Sequence, residues 1–287
     1  MLVAVADAGS FSAAARMLNR TQSVVSYTIA NLEAQLGLTL FDRSRRRPAL
    51  TPGGRAVLGD AQRVSAAVDE LRARAAGLSG GLEAEVSLAV DVMFPTTRLV
   101  AALQAFAAQF PTVALRLQVE ALGQVVQLVL DRRCGLGIAG WMAALYDTLE
   151  RVPLGATALV PVAVPAHPLA MLRRRLTSLE LGQETQLVLT DRSKLTEGQD
   201  FGVLSPRTWR LGDLGAKHAL LRAGLGWGNM PEPMVRDDLA AGRLVRLDLP
   251  NSAPIDFRLL LVHRQDARPG RAGSWLAQRL LAGDEPA

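Results

Sequence analysis

The 287-residue sequence predicts an N-terminal all-α winged helix-turn-helix, a long linker helix of coiled-coil type and an α/β domain of two lobes. Three observations predict this. Two capped helices meet across a two-residue connection, a heptad seam follows Thr51 and Pro52, and strands alternate with helices from Glu85 onward. The length suits more than one domain, at roughly 100 to 200 residues each. Hydrophobic residues make up 49% and charged residues 21%, a globular composition, so the chain is expected to fold.

The first segment divides at its caps. Ser10 is placed to cap a helix over residues 11–18, and Thr21 a second helix over 22–36 that Gly37 closes. Only Asn19 and Arg20 connect them, the spacing of a helix-turn-helix rather than of a plain helical hairpin. Residues 38–41 and 49–50 then suit a short antiparallel pair around a loop carrying Arg43, Arg45, Arg46 and Arg47, a basic wing. Thr51 and Pro52 open the next helix, cap first and proline at the first position. It should run to about residue 78, because Val57, Ala61, Val64, Val68, Leu71, Ala75 and Leu78 recur at alternating steps of four and three. Such a seam, flanked by Arg and Glu, predicts a two-stranded coiled coil and hence a homodimer, against the alternative of an amphipathic helix lying on its own domain's core. GLSGG at 77–81 reads as a hinge. The expected domains are 1–51, 52–81 and 82–287.

Beyond the hinge, strands are expected at 86–90, 114–119 and 136–139, with helices at 96–110 and 123–131 between them. A second set places strands at 158–164, 186–189, 209–211 and 226–230 with a helix at 214–223. A late strand at 257–262 and a helix at 273–281 complete the pattern. Repeated βαβ units imply a mainly parallel sheet. The spare strand and helix suggest that the chain crosses between lobes near 159–162 and returns near 257–261. Lobe I would hold about 82–160 and 258–287, and lobe II about 161–257.

Composition narrows the function. The net charge is +5, and residues 1–80 carry ten arginines against six acidic residues, so most of the surplus sits in the helix-turn-helix segment. Concentrated positive charge fits a polyanion, whose condensed counterions it displaces, although charge alone does not separate this from a solvated basic surface. Cys134 is the one cysteine, which excludes a disulfide framework and any multi-cysteine metal site. It precedes an apolar strand and suits a buried small hydrophobe. The opening decapeptide lacks a basic n-region and carries Asp7, and no apolar run approaches the ~20 residues of a membrane span, so a cytoplasmic protein without membrane contact is expected. His167, His218 and His263 are too scattered for a metal motif, and GLGWGN at 224–229 follows a helix rather than a strand, unlike a phosphate loop. No cofactor and no catalytic dyad is read. A two-lobed solute binder or a cleft enzyme would leave the first 80 residues unexplained.

Those residues carry a dense set of marks: GSF at 9–11, AAA at 13–15, TQS at 21–23, Ser26, NLE at 31–33, LG at 36–37, LFDR at 40–43 and LTPGG at 50–54. In this order and spacing they resemble the DNA-binding domain of LysR-type transcriptional regulators. Weaker marks extend the resemblance over nearly the whole chain: QFPTVALRL at 109–117, LGIAG at 136–140, AHPLA at 166–170 and AGLGWGNMP at 223–231. The resemblance implies an effector domain similar to type 2 periplasmic binding proteins. It further implies a bacterial regulator that binds double-stranded operator DNA and a small-molecule effector, pairs its dimers into homotetramers and has RNA polymerase as a further partner. Members usually begin several residues before the position of Met1, so the first helix is expected to be short and the true start to lie upstream.

Site residues follow from the resemblance. Ser10 and the exposed start of the second helix, Gln22, Ser23, Ser26 and Tyr27, are the expected DNA contacts. Gln pairs bidentately with adenine, Ser reaches base edge or phosphate, and Tyr offers a ring to a thymine methyl. The family often has Pro at the position of Ser23 and Arg at that of Tyr27, so a different base preference is expected. Arg43, Arg45, Arg46 and Arg47 suit phosphate or minor groove, Arg47 first. Effector contacts are expected from Met93, Phe94, Thr96, Gln124, Trp141, Asp191, Ser193, Trp227 and Asn229, at strand ends and helix starts where backbone N–H groups are free. The aromatic residues hint at an apolar effector, with core packing as the alternative for each.

Overall fold

The computed structural model describes residues 1–42, 48–250 and 255–282. By contact density the chain divides into two units, 1–76 and 77–287.

In the first unit, α1 (Leu2–Ala8) ends at Gly9, whose φ of 65° only glycine adopts without strain. The Ser10 hydroxyl accepts from the Ala13 amide at 3.1 Å and starts α2 (Phe11–Met17). Thr21 does the same for α3 (Gln22–Leu36), which Gly37 closes at φ 66°. Leu2, Val5, Phe11, Ala14, Val25, Ile29, Leu40 and Phe41 form one buried cluster, with the Phe11 and Phe41 rings edge to face at 5.4 Å. The wing strands are β1 (Phe41–Asp42) and β2 (Ala49–Leu50), antiparallel with Phe41 opposite Leu50. β1 starts later than the expected 38–41 because the preceding residues finish the exit from α3. The Leu38 amide donates to the Glu33 carbonyl, and the Leu40 and Phe41 amides donate to the Glu33 carboxylate at 2.7 and 3.1 Å.

Thr51 caps α4 (Pro52–Ser79), accepting from the Gly54 amide at 2.9 Å while donating to the Thr39 carbonyl at 2.6 Å. The expected seam on α4 splits. Val57 and Ala61 are half-buried against the winged-helix cluster, as the single-domain alternative requires, whereas Val64, Val68, Leu71, Ala75 and Leu78 are exposed.

The second unit opens with β3 (Glu85–Asp91), α5 (Thr96–Gln109), β4 (Ala114–Glu120), α6 (Gly123–Leu130) and β5 (Leu136–Ala139), in which β3 lies parallel to both β4 and β5. A 3-10 turn at Trp141–Leu145 leads into β6 (Leu149–Ala163), a 15-residue strand that begins nine residues before the expected 158. Then follow α7 (Pro168–Met171), α8 (Ser178–Gln183), β7 (Gln186–Leu189), a 3-10 turn at Lys194–Thr196, β8 (Thr208–Leu211), α9 (Leu214–Arg222), β9 (Gly228–Pro231), α10 (Glu232–Ala240), β10 (Val245–Arg246), β11 (Ile255–Arg264) and α11 (Arg271–Ala282).

β6 and β11 run antiparallel over most of their length, and β11 also pairs with β5. The far end of β6 pairs with β9 and β10, while β7 and β8 pair parallel. The sheet is therefore mixed rather than mainly parallel. The expected βαβ sets are present, but the two strands that carry the chain out and back run in opposite directions through the middle of the domain. One buried cluster around Leu88, Phe106, Ile138 and Leu276 continues through Leu187, Leu221 and Val235 and so joins both halves of the domain, and a smaller one gathers Leu169, Leu181, Trp227 and Leu247. Among the described residues no helix is long and apolar enough to cross a membrane.

Candidate functional site

Two sites are built on these units. On the first, α3 buries Val25 and Ile29 and turns Gln22, Ser23 and Tyr27 outward, Tyr27 with 75% of its surface exposed. Ser26 is half-buried on the flank of that face. Alternation of this kind follows from the 3.6-residue period, since 25 and 29 fall one turn apart. The Ser23 hydroxyl lies 2.9 Å from that of Thr21, within the cap. Ser10 is half-buried with its oxygen engaged as the α2 cap, a helix-starting role in the structure. Arg43, Arg45, Arg46 and Arg47 lie outside the described residues. Sequence reasoning passed over Arg16 and Arg20, both exposed. With Asn19, Thr21 and Val24 they line a shallow concavity beside the start of α3. The signal was available, as two arginines flank the turn.

The second site is a cavity of about 180 Å³ where the ends of β6, β7, β9 and β11 converge. Met93, Leu122, Trp141, Leu159, Phe201 and Phe257 form much of its wall, and Gln186, Lys217, Asn229 and Asp256 supply polar groups. Of the nine expected effector contacts, Met93, Trp141 and Asn229 line it. Met93 is fixed by its neighbours: its amide donates to Asp91 Oδ1 at 2.9 Å, and its carbonyl accepts from the Thr157 hydroxyl at 2.8 Å. Trp141 keeps 43% of its surface exposed and meets the Phe201 ring edge to face at 5.7 Å.

The other six stand elsewhere. Phe94 is buried in the main cluster beneath the Arg98 guanidinium, 5.1 Å from its ring centre. Trp227 is fully buried, its indole N–H without a partner among the described residues, because it packs into the core cluster with Leu169 and Leu247 rather than reaching the cavity. Thr96 is exposed at the first turn of α5, and Gln124 is half-buried on α6. Asp191 and Ser193 line a broader depression with Lys194, Thr196 and Arg210. Ser193 and one Asp191 oxygen are spent on local structure, while Asp191 Oδ2 is buried without a hydrogen-bond partner among the described residues. Asp191 accepts from the Thr196 hydroxyl, and Ser193 Oγ accepts from the Leu195 amide at 2.8 Å. Both crowd Gly123 at the start of α6, where a Cβ would lie 2.9 Å from Ser193 Oγ and 3.1 Å from Asp191 Oδ2.

Two buried ionisable groups were missed. Lys217 is 3% exposed on α9, and its Nζ donates to the Asn229 carbonyl at 2.7 Å. Burial pushes its pKa down to about 8. Position 217 shares a helical stripe with the buried Leu214 and Leu221, so a lysine at the middle place of an apolar i, i+3, i+7 series was the signal. Asp91, at the end of β3, has no exposed surface and one oxygen without a hydrogen-bond partner among the described residues. Burial, with the Asp191 charge adding to it against the Met93 and Leu122 amides, raises its pKa to about 7.

The histidines are held by structural partners. His167 Nδ1 accepts from the Leu169 amide, His218 Nε2 lies 2.6 Å from Asp238, and His263 Nδ1 lies 2.9 Å from the Arg264 carbonyl. Burial drives the His167 pKa down and the Cys134 thiol pKa up. No group of three or more His, Cys, Asp and Glu side chains among the described residues could hold a metal.

Comparison with known proteins accounts for both units. Residues 1–55 match the model of the bacterial regulatory helix-turn-helix proteins of the lysR family, and residues 79–284 match that of the LysR substrate binding domain. The chain is 28% identical over 278 residues to the HTH-type transcriptional regulator AceR of Acinetobacter baumannii, covering 96% of this chain and 93% of that protein. It is 29% identical over 275 residues to the probable HTH-type transcriptional regulator YhaJ of Escherichia coli K12, covering 95% and 91%. Among solved structures it shares its fold with an OxyR C206 mutant from Corynebacterium glutamicum, at TM-score 0.53 and 21% identity over 98% of this chain and 90% of that one. Full-length LysG from the same organism gives TM-score 0.52 at 20% identity over 99% and 97%.

Proposed function

The chain belongs to the LysR family of bacterial helix-turn-helix regulators, and from that premise we propose how its parts divide the work. It is a DNA-binding regulator of transcription with an effector-binding domain, and not an enzyme. We assign base reading to Gln22, Ser23, Ser26 and Tyr27, presented by α3 in the major groove. Arg43, Arg45, Arg46 and Arg47 hold the flanking backbone or minor groove, and Arg16 and Arg20 contact phosphate beside the helix turn. Dimers form along the exposed part of α4 and set two copies of α3 in successive major grooves of a pseudo-palindromic site. Pairs of dimers assemble into a tetramer, in the cytoplasm, with RNA polymerase as the downstream contact.

The observation that carries this assignment is the geometry of α3: a capped helix start with Gln22, Ser23 and Tyr27 exposed on one side and Val25 and Ile29 locked into the core on the other. The effector enters the cavity bounded by Met93, Trp141 and Asn229. It acts by binding two arrangements of the lobes with different affinity, without which no signal passes.

A salt-titrated binding assay on genomic fragments, including the stretch upstream of the protein's own gene, tests the DNA assignment. Gln22→Ala is expected to weaken binding by about 1–3 kcal/mol and relax preference at one base pair. Arg47→Ala is expected to weaken all sequences alike and lower the salt slope by about one. Unchanged affinity and slope in both variants overturns the assignment.

A further inference from the structure

We propose that the cavity takes a compact organic carboxylate with an apolar body and a hydrogen-bond donor beside the carboxylate, its head group held by Lys217 and its donor by Asn229. This rests on the reading of the cavity as the effector site and names the chemistry that site selects.

The argument begins with Lys217. A buried ammonium is normally paired with a carboxylate or neutralised, because removal from water is costly. Here Nζ reaches one neutral acceptor, the Asn229 carbonyl, burial lowers its pKa, and no carboxylate pairs with it among the described residues. The other titratable group in the lining, Asp256, is exposed. A three-donor cation with one acceptor, walled by apolar side chains, is a half-built anion site.

Asn229 supplies the second half. Its side-chain oxygen is buried and has no partner among the described residues, although the residue lines the same cavity as Lys217. An orphan acceptor calls for a donor. Cation and acceptor meet on one residue pair, because Lys217 donates to the backbone of the residue whose side chain is unsatisfied. A ligand that answers both presents an oxyanion and, one or two bonds away, a hydroxyl or amino group.

The remaining surface fixes the body. Met93, Leu122, Leu159, Phe201 and Phe257 offer no charge, and Trp141 closes one side with its exposed ring. A dry cavity of about 150 Å³ is enough to take up benzene, so about 180 Å³ accepts one ring or a branched chain with its head group. Phosphosugars and nucleotides are too large and too polar for it.

The test uses the full-length protein and matched probes. Mandelate and 2-hydroxy-3-methylbutanoate are titrated calorimetrically beside their primary amides, which keep shape and donor but lack the charge, and beside phenylacetate, which lacks the donor. In the wild type each acid is expected to bind about tenfold or more tightly than its amide, in line with a charge-assisted hydrogen bond. Phenylacetate should bind more weakly than mandelate. In Lys217→Met the preference for acid over amide should disappear, and in Asn229→Leu the preference for mandelate over phenylacetate should disappear.

Amides binding as tightly as acids, Lys217→Met retaining the preference, or neither acid binding at millimolar concentration overturns the proposal. Should Lys217→Met fail to fold, the wild type decides: mandelate affinity must fall as pH rises past about 8, where the lysine discharges. A flat profile overturns it. The effector reading fails separately. If the acids bind as described yet leave operator affinity unchanged, the anion site stands and its regulatory role does not.

Discussion

Asp91 shows how one side chain can couple stability to pH. It ends β3 with no exposed surface, accepts from the Met93 amide at 2.9 Å and has a second oxygen without a hydrogen-bond partner among the described residues. Burial raises its pKa to about 7, with the Asp191 charge contributing. A carboxyl whose folded pKa lies above its unfolded value is protonated more readily in the folded state. Its cost is therefore absent below about pH 4, grows through the interval up to about pH 7 and is complete above it. Asp91→Asn keeps an acceptor for the Met93 amide and cannot ionise. Urea denaturation should find the variant more stable than the wild type, and the gain should be larger at pH 8 than at pH 5 by on the order of 2 kcal/mol. An equal gain at both values would mean that Asp91 is not the titrating group. Lys217 has the opposite sign. Its depressed pKa is a cost that is complete below about pH 8 and fades as pH rises toward its ordinary value.

At the scale of elements, the start of α4 explains why residues 50–54 read LTPGG. Thr51 caps the helix and ties it to the Thr39 carbonyl, Pro52 presets the first turn, and Gly54 lies where a Cβ would come 2.1 Å from the Leu40 carbonyl oxygen. Gly54→Ala must push the helix off the strand below it. A loss of about 1–3 kcal/mol is expected in thermal unfolding of the winged-helix unit, the range of overpacked cores, with the second unit's transition unmoved. Gly53→Ala is the control, because the nearest atom there is 3.7 Å away; equal losses in the two variants would remove the steric explanation.

Elements with local signals of this kind were legible in the sequence. The caps at Ser10, Thr21 and Thr51 and the stop at Gly37 place α2 to α4 within a residue or two. α8 was legible but passed over: Thr177 and Glu180 form a reciprocal capping box whose spacing is plain in the sequence. The first half of β6 was not legible. LERVPLGAT carries a proline, a glycine and two charges without alternation, and it becomes a strand because β11 lies beside it. The register shift that sets Leu259 opposite Gly155 and Leu260 opposite Pro153 absorbs Leu154 as an extra, buried residue. The cavity shares this dependence on distant partners. Phe201, Gln186 and Lys217 reach it from a loop, a strand and a helix that no sequence spacing relates.

At the scale of the whole molecule, α4 carries an apolar row that stays exposed among the described residues. Val57 and Ala61 complete the winged-helix core, after which Val64, Val68, Leu71, Ala75 and Leu78 continue the same seven-residue repeat into solvent, Val64 and Leu71 at 65% and 66% exposure. The row spans about 21 Å of helix at 1.5 Å per residue. A monomer gains nothing from holding four large hydrophobic side chains in that register, whereas in the dimer proposed above a second copy would bury them knob into hole and fix the spacing of two α3 helices. Charges at neighbouring a and d positions, Val68→Glu with Leu71→Glu, should therefore shift the protein toward monomer in sedimentation equilibrium. They should also weaken binding to a two-half-site operator far more than to a single half-site, because only the former uses both copies. Thermal unfolding of the winged-helix unit should be preserved, since Val57 and Ala61 are untouched. A double variant that sediments as the wild type does would mean that the copies meet elsewhere, and the exposed row on α4 would then need another occupant.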